Sequence, residues 1–242
     1  MNTNPITNQV ALVTGANRGI GKSIVEALLE KGVRKVYATA RNPESVDASD
    51  PRVTPLALDL SSTESVAAAA AEAKDVEIVV NNGGVLRVTS ALDASAFDDI
   101  AFEFNVNTLG LLRVAQSFAP ILKANGGGAL VQLNSVVSVK AFGNYATYSA
   151  SKAASYSLTQ SLEQVLKEQG TQVVSVHPGP INTDMAADAG LPDGEPPSVV
   201  ADAIVDALQA GRFHVFPDTM ARQIFEPYQA FAENIVEADL SE

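Results

Sequence analysis

In the stretch "FGNYATYSASKAAS" at 142–155, two tyrosines and one lysine stand among small side chains. If 147–169 form a helix, Lys152 lies one turn beyond Tyr148 on the same face. A fixed ammonium beside a phenol, whose reference pKa is about 10, stabilises the phenolate and yields a proton-exchanging group usable near neutrality. Tyr145 has Ser149, not lysine, at that spacing, and Lys152 is two turns away, roughly 10 Å along the axis. Tyr148 is therefore the better base. Alone, a Tyr and a Lys four apart describe an ordinary helix surface; other polar groups change that reading. Ser135 closes the apolar run "ALVQLN", where a hydroxyl could hold a substrate oxygen. Asn107, in "NVNTLG", falls inside a predicted helix, a poor place for asparagine unless its amide or a disturbed carbonyl has a role. The small residues Ala150, Ser151, Ala153, Ala154 and Ser155 suit close approach by a cofactor or a second helix.

Near the start of the chain, Gly15, Gly19 and Gly21 follow a strand-like run and open the first helical pattern, in "TGANRGIG". Glycines there let the backbone approach a pyrophosphate, whose charge lies on the free N–H groups and positive end of the helix. Tight turns use glycine too; the placement between strand and helix is what favours a dinucleotide, with Asn17, Arg18 and Ile20 completing the loop. About 20 residues further on, an NAD binder places a carboxylate for the ribose 2′-hydroxyl. Ala40 and Arg41 stand there instead. A guanidinium can take a 2′-phosphate through charge-assisted bonds, and Arg18 can reach the same phosphate, so the expected cofactor is NADP(H). Asp59, ahead of Leu60 in "ALDLSS", reads as a helix N-terminal acid, as an acceptor for the adenine amino group, or as both. Asn82, Gly83 and Gly84 in "NNGG" would let the chain pass close to the ribose, although a glycine turn needs no ligand to explain it.

The elements that must position these groups are legible as alternation. Short runs rich in β-branched residues at 10–14, 35–40, 53–58, 76–81, 129–134, 172–177 and 212–216 are separated by segments with apolar positions three and four apart. That order predicts an α/β doubly wound domain, a parallel sheet with helices on both faces. Gly32, Gly126, Gly170 and Gly211 are placed to end helices. No linker breaks the middle, so 1–242 reads as one catalytic domain with 217–242 a C-terminal helical extension. In that extension Met220, Ile224, Phe225, Tyr228, Phe231, Ile235 and Val236 make an apolar stripe that must lie on the body or on a neighbouring subunit, with Pro227 starting a second helix.

Composition removes several classes. A formal charge of −12 with only "EKGVRK" as a basic cluster argues against nucleic acid. With no cysteine and two histidines, disulfides are impossible and no metal site is expected; His177 and His214 read as strand residues. No apolar run reaches the ~20 residues that cross a bilayer, and the first residues do not read as a signal peptide, so a cytoplasmic location is expected.

In order, TGxxxGxG, NNxG, a helical Asn, a strand-ending Ser, YxxxK and PGxxxT over 8–216 resemble the classical short-chain dehydrogenases/reductases. The resemblance implies a Rossmann-type, seven-stranded parallel sheet of order 3-2-1-4-5-6-7, a tetrad of Asn107, Ser135, Tyr148 and Lys152, and hydride transfer with nicotinamide. It also implies that Lys152 bonds the nicotinamide ribose and that Asn107 anchors a relay water. Pro178 and Gly179 would shape the nicotinamide floor, with Ile181 and Thr183 near the carboxamide. Gly83 stands where the family usually has alanine, which should loosen that turn. The expected activity is NADPH-dependent reduction of a ketone or aldehyde, or oxidation of a secondary alcohol in reverse. "DMAADAGLPDGEPPS" reads as a mobile, incomplete lid, and Leu86, Phe142 and Met185 could line an apolar pocket for hydrophobic or aryl carbonyls of moderate size. Two other classes stand beside this: a non-catalytic NADP-binding redox regulator, and an assembly protein using the small-residue faces of helices at 97–125 and 147–169. Those faces also suit a homodimer or homotetramer.

Overall fold

The computed structural model describes residues 6–238. Seven strands form one parallel sheet: β1 (Val10–Thr14), β2 (Lys35–Ala40), β3 (Val53–Ala57), β4 (Ile78–Asn81), β5 (Ala129–Leu133), β6 (Gln172–Val176) and β7 (His214–Val215). Their order is β3-β2-β1-β4-β5-β6-β7, as the resemblance implied. Every residue of β1 is buried, which explains an apolar run without alternation: helices cover both faces. The helices are α1 (Gly19–Glu30), α2 (Thr63–Glu72), α3 (Ala96–Glu103), α4 (Leu109–Ala124), α5 (Ala146–Lys167), α6 (Asp184–Asp188), α7 (Pro197–Ala210) and α8 (Thr219–Phe231). On one face Ile24 and Leu28 of α1 and Ile204 and Leu208 of α7 pack on Val13, Val80 and Val131. On the other, Val66, Phe118 and Leu166 of α2, α4 and α5 pack on Leu12, Val79 and Leu130. Each such fully buried side chain contributes about 1.5–3 kcal/mol of transfer free energy.

The chain builds β1 to β3 outward, then returns to place β4 on the other side of β1. The loops leaving β1 and β4 therefore diverge and open a crevice at the carboxyl ends of the strands. Gly32, Gly126, Gly170 and Gly211, expected to end helices, have φ of 83°, 100°, 78° and 68°, the left-handed region that glycine enters without a Cβ clash.

Two sequence expectations are corrected. The helix expected over 97–125 is interrupted by a π-turn at Phe104–Thr108, which contains Asn107. The Asn107 amide pairs with the main chain of Val85 in both directions, at 2.9 Å each, and the widened turn accompanies that docking. Pro227 does not start a helix but lies inside α8, whose N-cap is Asp218. An interior proline forfeits a backbone bond. Tertiary contacts on either side of it hold the helix: Phe225 stacks on Phe216 at 4.3 Å, and the Tyr228 hydroxyl lies 3.1 Å from that of Tyr156. Phe225 and Tyr228 of the apolar stripe thus lie on the protein's own body, while Met220, Phe231 and Ile235 remain exposed.

Candidate active site

The glycine loop joins β1 to α1, with Gly15 and Gly19 at φ of 63° and 53°. A Cβ at Gly21 would stand 2.1 Å from the Gly15 carbonyl oxygen, so this glycine is required by the loop's own closure, before any ligand arrives. Asn82 clamps the loop: its Nδ2 donates to the carbonyls of Thr14 and Gly15 at 2.9 and 3.2 Å. The Gly83 N–H donates to Thr14 Oγ1 at 2.9 Å. A Cβ at Gly83 would stand 2.8 Å from the end of the Leu60 side chain, so Leu60 already occupies the place of the missing methyl and would have to move for an alanine.

Behind the loop runs a buried polar chain. Thr14 Oγ1 donates to Asn81 Oδ1 (3.0 Å), Asn81 Nδ2 to Gln132 Oε1 (2.7 Å), and Gln132 Nε2 to Ser155 Oγ (3.2 Å). It ties β1, β4, β5 and α5 together just beneath the crevice, with each amide's desolvation offset by a partner. The motifs TGxxxGxG and NNxG contain Thr14 and Asn81 without assigning them a role, and Gln132 was missed; the signal was a polar residue at or near the end of three apolar strands.

At the reacting end, Ser135 follows β5, and its Oγ donates to the Pro178 carbonyl (3.2 Å) while accepting from Val137 N–H (3.3 Å). Tyr148 in the first turn of α5 stands near the Ser135 side chain. Lys152, one turn on, is buried, and its Nζ donates to the Leu133 carbonyl at 2.7 Å. Asn107 also donates to Ser151 Oγ at 3.0 Å, locking the π-turn to α5.

The expected acidification of Tyr148 is not what the structure shows. Burial raises the Tyr148 pKa, and the charge of Glu103 adds to the rise; only the neighbouring Ser135 side chain opposes it. Lys152 Nζ lies 5.8 Å from the centre of the phenol ring and is directed at a carbonyl. Burial pulls its own pKa down to about 8, against the Glu103 charge. Desolvation, with the Glu103 charge, thus favours the protonated phenol, a hydrogen-bond donor.

Glu103 itself was missed. It is wholly buried at the end of α3, accepts the Arg87 N–H at 2.7 Å through Oε1, and leaves Oε2 without a partner beside the likewise unpartnered Thr147 hydroxyl. Burial raises its pKa. Its signal was a carboxylate inside the apolar run "AFEFNV", four residues before Asn107.

His177 is a fully buried strut behind Ser135. Its Nε2 meets Ser175 Oγ at 2.8 Å and its Nδ1 meets Ser138 Oγ at 2.9 Å. Burial, then the His214 charge, pushes its pKa from 6.5 to about 3. The folded state thus refuses a proton that the unfolded chain takes up below pH 6.5, so stability present at neutrality is lost as pH falls toward 3. The expected loss from this residue is about 2 kcal/mol by pH 5. Denaturant melts between pH 7 and 5 should show it, and the His177→Gln melts should be flatter over that range. An equal slope in both proteins would refute the assignment.

Every cofactor-contact residue expected from the sequence, from Gly15 to Thr183, lines one cleft of about 740 Å³, together with Ser135, Leu86, Phe142 and Met185. Asn107 stands behind its wall. Two placements differ from expectation. Arg18 pairs with Asp184 at 2.9 Å, and since both are mostly exposed the pair is worth at most about 1 kcal/mol. The cap of α2 is Ser62, not Asp59; Asp59 Oδ1 instead takes the hydroxyl and N–H of Ser61 at 2.7 and 2.8 Å, which lower its pKa. The cover, expected to be incomplete, is folded. Thr183 caps α6, Asn182 N–H donates to the Glu195 carbonyl (2.8 Å), Tyr145 donates to the Ala189 carbonyl (3.0 Å), and Gly194 sits where a Cβ would strike the Pro180 oxygen at 2.6 Å. Leu191 and Met220 join the apolar wall.

This fold and cleft define a dinucleotide-type α/β protein with a Ser, Tyr and Lys at the crevice. The chain belongs to the short chain dehydrogenase family, whose profile matches residues 9–193. It is 30% identical over 218 residues to an uncharacterised oxidoreductase of Staphylococcus saprophyticus, covering 84% of this chain and 92% of that one. It is 31% identical to the D-erythrulose reductase of Gallus gallus, covering 89% and 86%. A short chain dehydrogenase of Burkholderia cenocepacia solved in complex with NADP superposes with a TM-score of 0.87 at 37% identity, over 95% of this chain and 98% of that one. A short-chain dehydrogenase from Sphingobium yanoikuyae in complex with NADPH gives 0.78 at 26%, over 96% and 98%.

Proposed function

We propose that this oxidoreductase is an NADPH-dependent carbonyl reductase, acting in reverse on secondary alcohols, and that its substrates are hydrophobic or aryl ketones and aldehydes of moderate size. The observation that carries the reading is the convergence of Ser135, a protonated Tyr148 and Lys152 on the cleft that also holds the glycine loop. The cleft fits a phosphorylated dinucleotide: the loop glycines leave no Cβ in the way, α1 presents its N-terminus, and Arg41 is exposed with no ion pair among the described residues. The NADP and NADPH complexes of the two solved relatives support the same cofactor.

Arg41, aided by Arg18 once released from Asp184, would hold the 2′-phosphate, and the loop from Gly15 to Gly21 the pyrophosphate. Asp59 and Leu60 would border the adenine, Asn82 to Gly84 the ribose, and Pro178, Gly179, Ile181 and Thr183 the nicotinamide. When bound, NADPH supplies the hydride. The Ser135 hydroxyl would turn from the Pro178 carbonyl to donate, with Tyr148, to the substrate carbonyl oxygen, and Tyr148 releases its proton as negative charge develops there. A developing alkoxide is a stronger base than a phenolate, so reduction needs no acidified tyrosine. Lys152 steadies the resulting phenolate, and Asn107 holds the α3–α4 turn against α5.

The reading extends to a cytoplasmic homodimer or homotetramer. Among the described residues no helix is long and apolar enough to cross a membrane, and Leu92, Phe97 and Leu109 expose apolar surface.

The test is cofactor consumption across ketones, aldehydes and secondary alcohols. NADPH should be preferred to NADH, and Arg41→Ala should cut kcat/KM for NADPH at least about tenfold while leaving NADH nearly unchanged. Preference for NADH would overturn the cofactor, and turnover of only small sugars or polar hydroxy acids would overturn the substrate class.

A further inference from the structure

Asp218, which no sequence pattern singled out, is a carboxylate only 2% exposed at the start of α8. Its Oδ1 accepts the Ala221 N–H at 3.0 Å and caps the helix. Its Oδ2 accepts the Gly179 N–H at 2.7 Å. That N–H belongs to the same peptide unit as the Pro178 carbonyl, which accepts from Ser135 Oγ at 3.2 Å and from Val136 N–H at 2.9 Å. One peptide plane therefore has the active-site serine on its oxygen and a buried carboxylate on its hydrogen. The fit is close on both sides: a Cβ at Gly179 would stand 2.6 Å from Asp218 Oδ1. A second carboxylate reinforces the joint, because Glu195 Oε1 accepts the Thr219 N–H (2.7 Å) while the Glu195 carbonyl accepts the Asn182 N–H (2.8 Å).

The geometry points to Asp218 as a positioning residue that acts on Ser135 through the Pro178–Gly179 peptide, making the C-terminal helix part of the reaction machinery. A negative acceptor on the N–H fixes the peptide, and with it the Ser135 Oγ that rests against its carbonyl, at the place from which the hydroxyl can turn to the substrate oxygen. The placement of the Ser135 oxygen beside Tyr148 and the substrate then depends on a residue that touches neither. This rests on the carbonyl-reductase reading, and adds that the extension from Asp218 onward determines turnover.

The discriminating variant is Asp218→Asn. Asparagine caps helices as well as aspartate, so Oδ1 can still serve Ala221, but the amide group then faces the Gly179 N–H donor to donor. Expected is a fall in kcat of about tenfold, the size of a lost charge-assisted bond, with the NADPH dissociation constant near that of the parent and the thermal midpoint lowered by only a few degrees for the unpaired Gly179 N–H. Ser135→Ala supplies the second arm. With the serine hydroxyl gone, adding Asp218→Asn should cost less than about twofold more, whereas independent sites would multiply. Unchanged kcat in Asp218→Asn, or the same loss in both backgrounds, overturns the proposal. A parent enzyme that binds NADPH yet reduces no carbonyl would instead bring down the underlying reading, and this assignment with it.

Discussion

Tyr148→Phe is expected to lower kcat for carbonyl reduction by about a thousandfold, the scale of a lost general acid, with NADPH affinity within about threefold of the parent. The substitution removes one hydroxyl, so the aromatic packing at the head of α5 survives. The pH profile carries further information. Because burial holds the Tyr148 proton, reduction should run at neutral pH, while alcohol oxidation, which needs the phenolate, should rise toward alkaline pH. A redox regulator that merely binds the cofactor would show no carbonyl-dependent NADPH oxidation before or after the change. Parent-like turnover in the phenylalanine variant would remove Tyr148 from the chemistry.

Gly21→Ala is the second large effect. Its methyl would stand 2.1 Å from the Gly15 carbonyl oxygen and 2.6 Å from Asn82 Nδ2, and a backbone atom cannot swing aside as a side chain can. Overpacking here should cost about 3 kcal/mol or more of stability and abolish measurable NADPH binding. Gly126→Ala is the comparison. That site has nothing within 4 Å, so its cost should be only that of a left-handed φ on alanine, about 1–2 kcal/mol, without loss of NADPH affinity. Chemical denaturation and NADPH fluorescence titration separate the two. Equal destabilisation at both positions would show that the close approach at Gly21 relaxes easily.

The order of elements, the parallel sheet and the left-handed glycines ending helices were legible because each leaves a mark within a few neighbouring residues. Alternating strand and helix periods, a glycine-rich loop between β1 and α1, and Tyr148 and Lys152 one turn apart are patterns of local geometry. What the sequence could not convey was set by partners far along the chain. Lys152 is directed at the carbonyl of Leu133, Arg18 at Asp184, and Asn107 at Val85, and none of those choices follows from spacing. Pro227 inside α8 shows tertiary packing overruling local propensity. The protonation of Tyr148 is the clearest case: its neighbour in sequence predicts an acidified phenol, while its enclosure and the Glu103 charge hold the proton on. Desolvation and Coulomb interactions depend on everything within a few ångströms in space, so the direction of that shift follows from the tertiary structure and not from spacing along the chain.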